Sequence, residues 1–79
     1  MIKIAITSEQ VLRRNEIFDL LIEHGQEPAL WIGNDASFTP SSNNLAWSII
    51  KILVVQYDFQ YHIRVDDPEI AMLIKLSLP

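Results

Sequence analysis

Leu45-Ala46-Trp47-Ser48-Ile49-Ile50-Lys51-Ile52-Leu53-Val54-Val55-Gln56-Tyr57 is almost entirely apolar and carries one charge, at Lys51. Asn44, Ser48, Lys51 and Asp58 recur at spacings of four, three and seven, which draws a narrow polar stripe down a helix and leaves the rest of its circumference apolar. The β-branched residues Ile49, Ile50, Ile52, Val54 and Val55 argue for a strand instead. Length favours the helix: thirteen residues suit three to four helical turns and are long for a strand. Ser41, Ser42, Asn43 and Asn44 supply N-cap chemistry just ahead of it. A helix this apolar needs cover on most sides, from a sheet, another helix or a second copy of the chain.

Working outward, the segment 34–44 is rich in Ser, Asn, Thr and Pro and is expected to be a loop. Before it, Pro28 to Gly33 (PALWIG) has the form of a short strand bounded by proline and glycine. At the amino end, Ile2, Ile4 and Ile6 alternate with Lys3, Ala5 and Thr7, the period of a strand with one face on a core. Thr7 and Gln10 match a capping box, and an amphipathic helix is expected to run from there to Gly25, with Val11, Phe18, Leu21 and Ile22 on its inner face. After the central helix, Phe59, Tyr61, Ile63 and Val65 alternate with Gln60, His62 and Arg64 as a third strand. The expected fold is therefore α/β: a small three-stranded, mainly parallel sheet in βαβαβ order, the strands flanking the first helix paired in parallel as in a βαβ unit. Asp67-Pro68-Glu69 favours a short C-terminal helix; the strict alternation of Ile70, Met72, Ile74, Leu76 and Leu78 leaves an extra antiparallel strand as the rival. Residues 1–79 form one domain in this reading, with no linker or repeat.

Of the 79 residues, 49% are hydrophobic, more than a chain of this length easily hides, so self-association as a homodimer or a permanent protein partner is expected. Ten acidic and six basic side chains give a net charge of −4, which argues against nucleic-acid binding, since phosphate contacts need a basic face. There is no cysteine, hence no disulfide framework or thiolate metal site, and a reducing compartment fits. The amino terminus, MIKIAITSEQ, has no signal-peptide pattern and no apolar run is long enough for a membrane span, so no membrane association and a cytoplasmic location are expected.

The segment from Tyr61 to Leu76, YHIRVDDPEIAMLIKL, is a strand, an acidic turn and an Ala-Met-x-x-Lys-Leu stretch. It resembles the endings of short, mostly uncharacterised proteins encoded by tailed bacteriophages. The resemblance implies a small accessory or inhibitor protein acting on a host protein, in the host cytoplasm, and assigns no catalytic residue.

The residues present give no catalytic constellation. His24 and His62 have no partner ligands at metal spacing, so neither a metal nor a cofactor is expected. Ser37 with His62 is a conceivable nucleophile and base, without a nucleophile-elbow pattern to support it. The expected function is that of a non-enzymatic protein-interaction module. Asp58, Asp66, Asp67 and Glu69 form an acidic group able to face a basic partner, and Phe38, an aromatic in a polar loop, is expected to anchor the loop or a partner. Trp31 and Trp47 are expected in the core. The alternative is a small-molecule binder, for an anion or nucleotide, or an enzyme, using the edge formed by Thr7-Glu9 and Gly33-Asn43. Ser8, Asp35, Ser37, Ser42 and Asn43 are its candidate contacts.

Overall fold

The computed structural model describes residues 1–34, 36–56 and 60–79. The chain runs β1 (Ile2–Ile6), α1 (Ser8–Leu12), α2 (Arg14–Glu23), β2 (Leu30–Ile32), β3 (Ala36–Phe38), α3 (Asn44–Gln56), β4 (Tyr61–Val65) and α4 (Pro68–Ser77). The strands form one sheet in the order β1-β4-β2-β3, and every pairing is antiparallel.

This corrects the expected three-stranded, mainly parallel sheet. β1 and β2 run in the same direction, but β4 lies between them and pairs with both. Strand length supplies the reason. β1 has five residues and β2 only three, so β2 would leave part of the β1 ladder without partners, whereas unpaired backbone polar groups are costly. β4 matches β1 over its whole length, from Ile2↔Val65 to Ile6↔Tyr61. The expected loop also contains a strand: Ala36–Phe38 folds back on β2, with Leu30↔Phe38 and Ile32↔Ala36 in register. Gly33, at φ 60°, opens that turn in the left-handed region where a side chain would be strained.

The helices follow their local chemistry. At the start of α1, the Gln10 N–H donates to Thr7 Oγ1 (3.2 Å) and the Thr7 N–H donates to Gln10 Oε1 (2.9 Å), closing the capping box. The expected single helix breaks at Arg13 (φ −102°, ψ 31°), so Leu12 turns outward while Val11, Ile17, Phe18 and Leu21 stay buried. α2 ends in a Schellman arrangement: the Gly25 N–H donates to the Ile22 carbonyl (3.0 Å), the Gln26 N–H to the Leu21 carbonyl (2.8 Å), and Gly25 has φ 71°. Asn43 Oδ1 accepts from the Ala46 N–H (2.8 Å) as α3 begins, and the apolar stretch 44–56 is helical. The C-terminal segment is a helix: Asp67 Oδ1 accepts from the Glu69 N–H (2.8 Å) and the Ile70 N–H (3.4 Å), and Pro68 sits in the first turn.

The helices cover one face of the sheet. Ile4, Ile6, Leu30, Tyr61, Ile63 and Val65 point into a core closed by Val11, Ile17, Phe18, Leu21, Ile50, Val54, Ala71 and Ile74. Trp47 is half-buried where α2, α3 and β3 meet, its ring 5.7 Å from Phe18 and 5.9 Å from Phe38. No helix among the described residues is long and apolar enough to cross a membrane.

Candidate functional site

Two surfaces are left uncovered by the described residues, one on each side of the sheet. On the helical side, α3 buries Ile50 and Val54 and turns Leu45, Ile49 and Ile52 to solvent. At 100° per residue those three side chains fall within about 60° of one another, a continuous apolar stripe. Val55, four residues beyond Lys51, and Leu12, which shares a shallow groove with Ser48 and Lys51, extend the apolar surface. On α4, Met72, Leu73 and Leu76 are also exposed. Asp66, Asp67 and Glu69 lie exposed at the start of that helix, with Asp67 committed to the N-cap.

On the other side the sheet is open, and strand alternation places Lys3, Ala5, Trp31, Ser37, His62 and Arg64 there. Trp31, expected in the core, is instead half-buried on this face. Its ring is nearly parallel to that of His62 (14°, centroids 6.4 Å apart), and the Arg64 guanidinium lies 3.5 Å from the Trp31 ring centroid. Arg64 Nε donates to His62 Nε2 (3.1 Å), and Arg64 Nη2 reaches the Asn34 carbonyl at 3.5 Å. Lys3 Nζ donates to Asn34 Oδ1 (3.2 Å), so a lysine from β1 spans β4 to the β2–β3 turn. Burial first, then the charges of Arg64 and Lys3, hold His62 below the ordinary histidine pKa, which keeps its ring neutral and Nε2 free to accept.

A cleft of about 790 Å³ opens at one end of this face, lined by Lys3, Ala5, Thr7, Ser8, Asn34 and His62 among others, a volume within the range of small-molecule sites. It joins the two segments, Thr7-Ser8 and Gly33-Asn34, that open the stretches named for a ligand edge. The remaining candidates stand elsewhere. Ser42 Oγ accepts from the Thr39 N–H (3.0 Å) and Asn43 caps α3. Ser37 is exposed on β3 with Trp31 between it and His62, so hydroxyl and imidazole are two strands apart, roughly 10 Å. Phe38 packs on Trp47 and joins the β2–β3 hairpin to α3. Asp35 and Asp58 lie outside the described residues. Among the described residues no three His, Asp or Glu side chains gather as a metal ion requires.

The platform of Lys3, Trp31, His62 and Arg64 was not recognisable as a unit from the sequence. The usable signal was the polar alternation of His62 and Arg64 with Lys3, on strands whose other face is apolar; what was missing was the strand order. A scan against protein-family models matches none, and neither a curated protein nor a solved structure matches the chain.

Proposed function

We propose that the chain is a non-enzymatic interaction protein acting in the cytoplasm, and that it pairs with a second copy of itself through the outer face of α3. The observation that carries this reading is the stripe of Leu45, Ile49 and Ile52, which are 69%, 47% and 53% exposed and follow one another at spacings of four and three. That is the spacing of a coiled-coil seam, and a copy of the same helix offers the matching stripe about a two-fold axis. Lys51 points away from the stripe, so two copies do not bring like charges together. A helix of thirteen residues is about 20 Å long and supplies only part of the roughly 800 Å² per partner of a standard interface. Val55 and the neighbouring Leu12 widen the contact toward that size, and Lys51, which adjoins both, then lies at its rim with the exposed ammonium in water.

The second apolar surface, Met72, Leu73 and Leu76 on α4, is headed by Asp66, Asp67 and Glu69. It suits a partner with an apolar groove and a basic rim. This is the kind of contact an accessory or inhibitor protein makes with a host protein, as the resemblance to phage-encoded proteins implies.

Sedimentation equilibrium tests the reading. The unaltered chain is expected as a dimer at micromolar concentration, and Ile49→Glu with Ile52→Glu as a monomer with unchanged circular dichroism. A monomeric unaltered chain at all accessible concentrations removes the α3 contact from the proposal. Capture of a host protein that survives Met72→Glu with Leu76→Glu removes the α4 contact.

A further inference from the structure

Ser37, Trp31, His62 and Ala5 stand in one row across β3, β2, β4 and β1. Trp31 and His62 fill the middle of that row with nearly parallel rings. Ala5, next to His62, contributes only a methyl group, so the row opens there into the cleft that Ala5 and His62 line. Lys3 lines the cleft, and Arg64, its neighbour across the β1–β4 pair, stands outside the lining with its guanidinium over Trp31. Lys3 and Arg64 both reach Asn34, and none of the described residues on this face of the strands is acidic, although the chain carries a net charge of −4. The acids among the described residues lie on the helices and in the segments that join elements.

We propose that this cleft binds a nucleoside monophosphate, with the base over Ala5 against the His62 ring and the phosphate between Lys3 and Arg64. A flat base continues the row of flat groups that Trp31 and His62 begin, and Ala5 leaves the room for it. Arg64 is already laid on Trp31 and tied to His62, so little of its freedom is lost when it meets a phosphate. Thr7, Ser8, Asn34 and Gln60 place hydroxyl and amide groups around the space left for the sugar. Two cations match one phosphate; a nucleic-acid backbone would need a longer basic track. The site lies across the sheet from α3 and does not depend on the dimer contact.

The experiment is calorimetric titration of the full chain with adenosine 5′-monophosphate, adenosine, ribose 5-phosphate and inorganic phosphate. The monophosphate is expected to bind about tenfold or more tightly than any of the other three, a difference that needs base and phosphate together. Lys3→Gln, an exposed side chain, is expected to weaken it by about tenfold, and Ala5→Leu, which fills the cleft and leaves the cations in place, by at least about as much. The chain carrying Ile49→Glu with Ile52→Glu is expected to bind equally well. No saturable binding, binding of inorganic phosphate as tight as that of the nucleotide, an unchanged affinity in both Lys3→Gln and Ala5→Leu, or loss of binding in the α3 variant would each overturn the proposal.

Discussion

The outer surface of the helices and the open face of the sheet are both uncovered, yet their side chains are opposite in kind. α3 and α4 turn Leu45, Ile49, Ile52, Met72 and Leu76 to solvent with no polar partner to serve. The open sheet face carries Trp31, His62 and Arg64, joined to one another by a hydrogen bond and stacked planes, and Lys3, which like Arg64 is bonded to Asn34. Apolar surface gains free energy by leaving water and therefore suits contact with another macromolecule. A fixed cationic and aromatic platform suits an anion, which it can meet without rearranging. The difference teaches that coverage alone does not mark a site: what a surface can do depends on whether its groups already have partners.

The largest effect expected to test this contrast is on β4, whose residues alternate between the two sides of the sheet. Ile63, fully buried at the centre of the sheet, replaced by alanine is expected to cost about 2–5 kcal/mol in chemical denaturation. His62→Ala, the next residue and on the open face, is expected to cost about 1 kcal/mol or less. Equal losses would mean that the open platform holds the fold as strongly as the core does. Asp67→Ala removes the cap of α4 and is expected to cost about 0.5–2 kcal/mol, read by the same measurement. If the exposed face of α4 serves a partner rather than the fold, Met72→Glu leaves that stability unchanged.

A smaller effect is expected from pH. The folded pKa of His62 is lowered, so the unfolded chain takes up the proton first as pH falls. Stability is therefore expected to drop as pH falls below the ordinary histidine value of about 6.5, and to stop dropping from this cause below the lowered folded value. His62→Gln flattens that part of the profile, and an unchanged profile would show that the stack does not hold His62 neutral. A comparably small effect on the fold is expected on α3, where Ile49→Glu with Ile52→Glu changes the stability of the monomer by within about 0.5 kcal/mol per site while dissociating the dimer.

Much of the local structure was legible because it depends on residues close in sequence. The capping box of Thr7 and Gln10, the left-handed Gly25 after α2, and Asp67-Pro68 ahead of α4 each act within a few residues, and each forms as its residue types require. The central stretch is helical despite its β-branched residues, since its burial has helical period, with Ile50 and Val54 inward. The break at Arg13 was harder to foresee, because Leu12 and Leu20 fit neither a clean stripe nor an obvious stop. β3 was hidden because Ala36–Phe38 is short, sits among turn residues, and gains its ladder only from β2. The site suffered most: Trp31 has the composition of a core residue, and its place on the open face depends on which face β2 buries.

The sequence by itself determined that β1, β2 and β4 extend and that the central stretch coils, where four of the helical boundaries fall, and that more apolar surface exists than one small core conceals. Tertiary structure alone decided that β4 lies between β1 and β2, and hence that Lys3, His62, Arg64 and Trp31 meet. Capping and periodicity act over a turn or two of chain, whereas strand order is a choice among distant pairings. Here β4 pairs with β1 along all five residues on one side and with β2 on the other, while burying Tyr61, Ile63 and Val65 beneath the helices; β1 is left as an edge strand.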